Sequence, residues 1–172
     1  TCQFDDIIND PDIDAVAIAT PFCLHFEMGK KCLQAGKHTL IEKPMARSVQ
    51  ECEELMQLAE RHKLTLMVGH TFIYSTPVKK IKEMVVSGEL GEIQYISSRR
   101  LNLGLFQKDI NVAWDLAPHD ISIILYVLDE VPVSINCQGK CHVTERIEDV
   151  TNMTLNFTNG AFATIQSSWL DP

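Results

Sequence analysis

His38-Thr39-Leu40-Ile41-Glu42-Lys43-Pro44 is the stretch whose reading decides the fold. Its first four residues form a short β-strand signal that runs straight into a charged pair and a proline. Just before it stands Gly36, placed to close a helix as a left-handed C-terminal cap. A strand that follows a helix and ends in polar residues is the repeating unit of a parallel α/β sheet. Ligands bind such sheets at the carboxyl ends of the strands. A lysine there meets a substrate or cofactor; the competing reading is a helix entry with a solvated lysine. The proline after it restricts the backbone and allows a cis bond, which would aim the lysine.

Two flanking segments repeat the pattern. Ile13 to Ala19 is an apolar run stopped by Thr20-Pro21, expected as a buried parallel strand with helices on both faces. Leu24, Met28, Cys32 and Ala35 then recur on one helical face up to Gly36. Beyond the central strand, Ser48 and Glu51 form a capping box. It opens a helix with the predicted apolar face Val49, Cys52, Leu55, Met56 and Ala59. Leu64 to Val68 is a third strand and ends at Gly69-His70. The reading over residues 1–70 is therefore the C-terminal part of a doubly wound parallel sheet. If the strands are neighbours, Thr20-Pro21, Glu42-Lys43-Pro44 and Gly69-His70 converge on one sheet edge.

Residues 71–172 follow a different grammar. Thr76-Pro77 starts a helix with the face Val78, Ile81 and Val85, ended by Gly88. Ile93 to Arg99 is strand-like, and a polar loop then leads to a helix over about Leu116–Leu128 that buries Ile121, Ile124, Leu125 and Leu128. Met153, Leu155 and Phe157 alternate with polar residues, Asn159-Gly160 supplies a two-residue hairpin turn, and a strand returns over Phe162 to Trp169. This second part reads as α+β with a largely antiparallel sheet.

The 172 residues carry 23 Asp and Glu against 15 Lys and Arg, a net charge of −8. That balance argues against nucleic acid as a partner, which would call for a basic stripe. No apolar run approaches the ~20 residues of a membrane span, so a membrane is not expected as a partner. Cys2, Cys23, Cys32 and Cys52 are scattered, and Cys137 and Cys141 lie four apart in an expected strand. Metal sites show tighter pairs, so no metal is expected, and free thiols suit a cytoplasmic location. The chain opens on Thr1 and closes on Asp171-Pro172 directly after a strand, so both ends are expected to be cuts in a longer protein.

A second chemical cluster is Trp114-Asp115-Leu116-Ala117-Pro118-His119-Asp120. Asp115 and His119, four apart, share one face at a helix start, with Pro118 expected in the first turn. Either the carboxylate orients an imidazole base, or Asp115 caps the helix and His119 is a satisfied interfacial histidine. Tyr74, Arg99, Asn102 and Trp114 either border a substrate pocket or are structural.

Taken together, Ala19-Thr20-Pro21 with His25, Ala35-Gly36-Lys37-His38 leading to Glu42-Lys43-Pro44, and Asp115-x-x-x-His119 resemble the Gfo/Idh/MocA oxidoreductases. The resemblance runs along nearly the whole chain. It implies a Rossmann domain for NAD or NADP followed by an α/β substrate domain whose open sheet supports a homo-oligomer. It implies Lys43, Asp115 and His119 as the catalytic set, and Thr20, Pro21, His25, Glu42, Lys43 and Pro44 beside the cofactor. The implied reaction is NAD(P)-dependent oxidation of a secondary alcohol in a sugar, sugar nucleotide or polyol, or its reverse. A non-catalytic dinucleotide sensor is the alternative. Lys43, Asp115 and His119 are expected to gather around one cleft.

Two departures qualify the resemblance. The G-x-G-x-x-G phosphate loop does not occur in the chain, nor does the residue that selects NAD over NADP. Many members also carry an acid three residues after the histidine, where this chain has Ser122. As cut, the 172-residue polypeptide is expected to associate and to bind NAD(P) weakly.

Overall fold

Three parallel strands, β1 (Ala15–Ile18), β2 (His38–Ile41) and β3 (Leu66–Val68), lie side by side in that order in the computed structural model. The model describes residues 1–104 and 106–172. The chain divides into two compact units, Thr1–Gly69 and His70–Pro172. In the first, Ile18 pairs with Ile41 and Ile41 with Val68, so the three strands finish level. The ladder continues one step beyond them: Glu42 N–H donates to Ile18 O (2.9 Å) and Gly69 N–H to Ile41 O (2.8 Å). The polar residues after each strand therefore leave from one edge.

The helices α1 (Phe4–Asn9), α2 (His25–Gln34) and α3 (Val49–His62) complete this unit. Its core joins Ile18, Cys32, Leu33, Ile41, Leu55 and Ala59, with Phe4, Ile8 and Val16 packed against them. Strand periodicity puts Val16 and Ile18 toward the helices and Ala15 and Ala17 away. Ala15, Ala17, His38 and Met67 are exposed, so helices on both faces, as expected for β1, are not found among the described residues. An apolar run does not report which of its faces is covered.

Two helical faces also differ from the expectation. A 3-10 turn at Phe22–Leu24 precedes α2, leaves Leu24 exposed, and shifts the buried face to His25, Gly29, Cys32 and Leu33. Gly29 lets the helix come close there: a Cβ would stand 2.7 Å from Ile41 Cδ1, and one of the two would have to shift. On α3, Leu55, Leu58 and Ala59 are buried while Val49 and Met56 are exposed. The cap is as read: Glu51 N–H donates to Ser48 Oγ (3.2 Å). Glu51 Oε2, however, accepts from Arg47 N–H (2.8 Å), one residue before the cap.

In the second unit, β4 (Tyr95–Leu101), β5 (Ser134–Lys140), β6 (Val150–Asn156) and β7 (Phe162–Ser168) form a sheet in the order β4-β7-β6-β5. β4 and β7 run parallel; the other two pairings are antiparallel. Of the helices α4 (Thr76–Val86) and α5 (Val112–Leu128), α5 packs on the sheet through Ala117 and Ile124 against Leu155, Ala163 and Ile165. Ile121, Leu125 and Leu128 are only partly buried around that core. Only Val78 of the expected α4 face is buried; Ile81 is exposed.

The β6–β7 turn is longer than a two-residue turn. Phe157 N–H bonds to Ala161 O (3.0 Å), leaving Thr158, Asn159 and Gly160 outside, with Gly160 at φ 88°. Three-residue loops of this kind place glycine in the left-handed region. Cys141 lies just beyond β5 rather than inside it with Cys137. Among the described residues, no helix is long and apolar enough to cross a membrane.

Candidate active site

At the edge of the parallel sheet, Thr20 and Pro21 follow β1 and Glu42-Lys43-Pro44 follow β2. Pro44 is buried, Thr20, Glu42 and Lys43 are half-buried, and Pro21 is exposed. The Lys43–Pro44 peptide is cis. Gly69, the residue after β3, makes room for its neighbour: a Cβ there would lie 2.9–3.0 Å from the Glu42 carboxylate. Thr20 Oγ1 is buried with no hydrogen-bond partner among the described residues. Such an atom is costly to leave unsatisfied, and at the carboxyl edge of a parallel sheet it is placed to bond a ligand. The residues present thus fit a dinucleotide whose polar groups meet Thr20, Glu42 and Lys43.

His25 sits differently from the other residues implicated beside the cofactor. It is 2% exposed. Its Nδ1 lies 2.8 Å from Pro44 O and its Nε2 2.9 Å from Thr20 O. Phe22 meets the ring edge-on at 6.0 Å. The imidazole is turned into the protein, between the loops that follow β1 and β2.

The second cluster is built on α5. The cap is Asn111, whose Oδ1 accepts from Trp114 N–H (3.1 Å), so the helix starts four residues before Leu116. Pro118 consequently lies inside the helix, not in its first turn. Asp115 is not the cap. It stands one turn before His119, on the same side of the helix. Asp115 Oδ2 accepts from the indole Nε1–H of Trp169 at 3.3 Å. Trp169 is 1% exposed and packs with Val112, Leu116 and, edge-on at 6.2 Å, Phe106.

His119 meets the ring of Phe72 edge-on, 4.8 Å between centroids. The Arg100 guanidinium lies over that same Phe72 ring, also at 4.8 Å. Arg100 in turn reaches both oxygens of Asp120 (2.6 and 3.3 Å), and Ser98 Oγ donates to Asp120 Oδ1 (2.6 Å). Asp120, buried beside His119, is therefore committed to an ion pair that braces the helix against β4.

Of the residues considered for a substrate pocket, Trp114 lines a largely apolar cleft of about 740 Å³ with His70, Asn111, Pro118, Ser122 and Cys137. Tyr74, exposed in a 3-10 turn at Thr71–Tyr74, and Asn102, whose N–H bonds to Ser168 O (2.9 Å), do not line it. Arg99 borders a shallow groove on the sheet with Ser97 and Gln166. Sequence reading missed Phe72, Arg100, Asn111 and Trp169. Only Asn111 carried a local signal, as an Asn before a helical run. No group of three potential ligands is close enough to hold a metal among the described residues. The six cysteines are free.

Residues 1–70 match the oxidoreductase family with an NAD-binding Rossmann fold, and residues 78–172 match the GFO/IDH/MocA C-terminal domain. An uncharacterized oxidoreductase, YrbE, of Bacillus subtilis (strain 168) is 31% identical over 178 residues, covering 98% of this chain and 52% of the relative. UDP-N-acetylglucosamine 3-dehydrogenase of Acidithiobacillus ferrooxidans is 32% identical, covering 91% of this chain and 49% of that protein. A crystal structure of an oxidoreductase from Pseudomonas syringae superposes with a TM-score of 0.89 at 25% identity, over 97% of this chain and 47% of that one. The chain spans about half the length of the curated relatives it matches. With both matches running in order along it, the chain belongs to the Gfo/Idh/MocA oxidoreductases.

Proposed function

We propose that this chain is part of an NAD(P)-dependent dehydrogenase that oxidises a secondary alcohol of a sugar, sugar nucleotide or polyol, or reduces the corresponding ketone. The observation that carries the reading is Lys43, half-buried at the level edge of three parallel strands beside Thr20, in a chain that also holds Asp115 and His119 one turn apart on α5. A bound nicotinamide supplies the hydride acceptor. The chain's own groups manage the proton and the charge. His119 takes the hydroxyl proton as the C–H bond gives up its hydride. Asp115 orients the imidazole and stabilises its protonated form. Lys43 donates to the oxygen as alkoxide charge develops.

The sugar assignment draws on relatives such as the UDP-N-acetylglucosamine 3-dehydrogenase. The six free cysteines support a reducing, cytoplasmic setting. The exposed, stacked pair Tyr95–Phe162 on the sheet of the second unit supports a homo-oligomer formed through that sheet.

The test is turnover by the full-length protein on a panel of sugars, sugar nucleotides and polyols, followed by the absorbance of the reduced nicotinamide. Lys43→Met should lower kcat on the order of 10²-fold, the worth of one preorganised donor to a developing oxyanion. Dinucleotide binding without turnover of any substrate would favour a sensor. Wild-type kcat in Lys43→Met would remove Lys43 from the chemistry.

A further inference from the structure

Two of the strand-end loops in the first unit are joined by one side chain. His25 opens α2, is 2% exposed, and holds its two nitrogens 2.8 Å from Pro44 O and 2.9 Å from Thr20 O. Those carbonyls belong to the residue after Lys43 and to the threonine whose hydroxyl has no partner among the described residues. A carbonyl oxygen only accepts. A neutral imidazole has one N–H and satisfies one carbonyl, facing the other with a lone pair. Each ring nitrogen is within hydrogen-bond distance of one loop, so the ring spans the two.

We propose that His25 is a positioning residue: its imidazole, set between the carbonyls of Thr20 and Pro44, ties the loops after β1 and β2 to each other and so holds Lys43 and Thr20 in place. Phe22, edge-on to the ring, limits its rotation. Removing the tie frees the backbone on both sides at once, since neither carbonyl has another partner of this kind from α2. The ring itself is buried, with its two nitrogens facing main-chain carbonyls. This inference rests on the reading of Lys43 as the donor to the reacting oxygen.

The experiment is a double-mutant cycle on the full-length enzyme, His25→Phe against Lys43→Met. His25→Phe keeps a ring and removes both ring nitrogens. It should lower kcat about tenfold or more, with substrate KM changed much less, because donors matter to the transition state only when aimed. In a Lys43→Met background the same change should cost almost nothing further, as expected for residues acting through one another. Additive losses would make His25 merely structural and overturn the proposal. An inert Lys43→Met would instead overturn the reading of Lys43.

If His25→Phe does not fold, nitrogen-15 spectra of histidine-labelled wild-type enzyme decide the matter. An imidazole N–H at His25 that is protected from exchange supports the tie; one that exchanges as freely as that of an exposed histidine overturns it.

Discussion

At the edge of the parallel sheet, Thr20, Glu42 and Lys43 leave the ends of strands, whereas Asp115 and His119 stand inside a seventeen-residue helix. The first group is held through the main chain. Level strands and ladder bonds beyond their ends set its loops. The second is held through side chains: Trp169 on Asp115, Phe72 on His119, and Arg100 with Ser98 on the neighbouring Asp120. Backbone support tolerates substitution wherever the backbone path survives. Side-chain support does not, because each prop is one residue deep.

The contrast can be tested by knocking out props. After the Lys43 variant, the largest effect is expected at Asp120. Asp120→Ala leaves Arg100 without its carboxylate and Ser98 without its acceptor. It should cost about 2 kcal/mol of stability, toward the low end for a broken buried pair because Arg100 is partly exposed. Urea unfolding of the full-length protein measures it. A loss within experimental error would mean that α5 is held by its apolar face alone.

Trp169→Phe is next. It keeps most of the packing and removes one N–H from Asp115. A bond to a carboxylate at 3.3 Å predicts about a tenfold fall in kcat with little change in melting temperature. An unchanged kcat would show that Asp115 is held without the indole.

The smallest effect concerns the carboxylate of Asp149, whose main-chain oxygen accepts from Trp169 N–H (2.9 Å). Asp149, 1% exposed, accepts from the amides of His142 and Val143 and from His142 Nδ1 (2.6–2.8 Å). Burial alone would raise its pKa; the bonds from His142 and Val143 outweigh burial and hold it below the ordinary value of 3.8. A depressed folded value means that the stabilisation is present above the unfolded pKa. It is lost as pH falls through the folded one. Stability of the wild type should therefore drop below pH 3.8 by about 1 kcal/mol, the net worth of one typical hydrogen bond, and that of Asp149→Asn should drop less there. Parallel acid limbs for the two proteins would discount Asp149.

What the sequence announced was what is local. Gly36, Ser48 with Glu51, and the polar residues after each strand are short-range signals of the strand–helix alternation that a parallel sheet needs; that the strands are neighbours in the order β1-β2-β3 is seen only in the fold. His25 belongs to no apolar pattern, because a histidine reads as polar; its buried place depends on carbonyls five and nineteen residues away. The start of α5 was set too late because apolar periodicity begins at Leu116, while the cap that nucleates the helix is Asn111. Trp169 was invisible for a different reason. Fifty-four residues separate it from Asp115, and only the return of β7 beside β4 and β6 brings the two together.

Gly29 gives the molecule a tolerance as well as a fit. It lies one helical turn beyond His25, where a single methyl group would come 2.7 Å from Ile41 and 3.4 Å from Leu55. Either the δ-methyl of Ile41 is driven into a filled core, or α2 is lifted off the sheet by a few tenths of an ångström. That lift would be shared by the histidine four residues earlier, which stands 2.8 and 2.9 Å from the carbonyls of both loops. The spacing between a helix and a sheet, ordinarily a matter of packing alone, here acts as a gauge for how the loops after β1 and β2 are set.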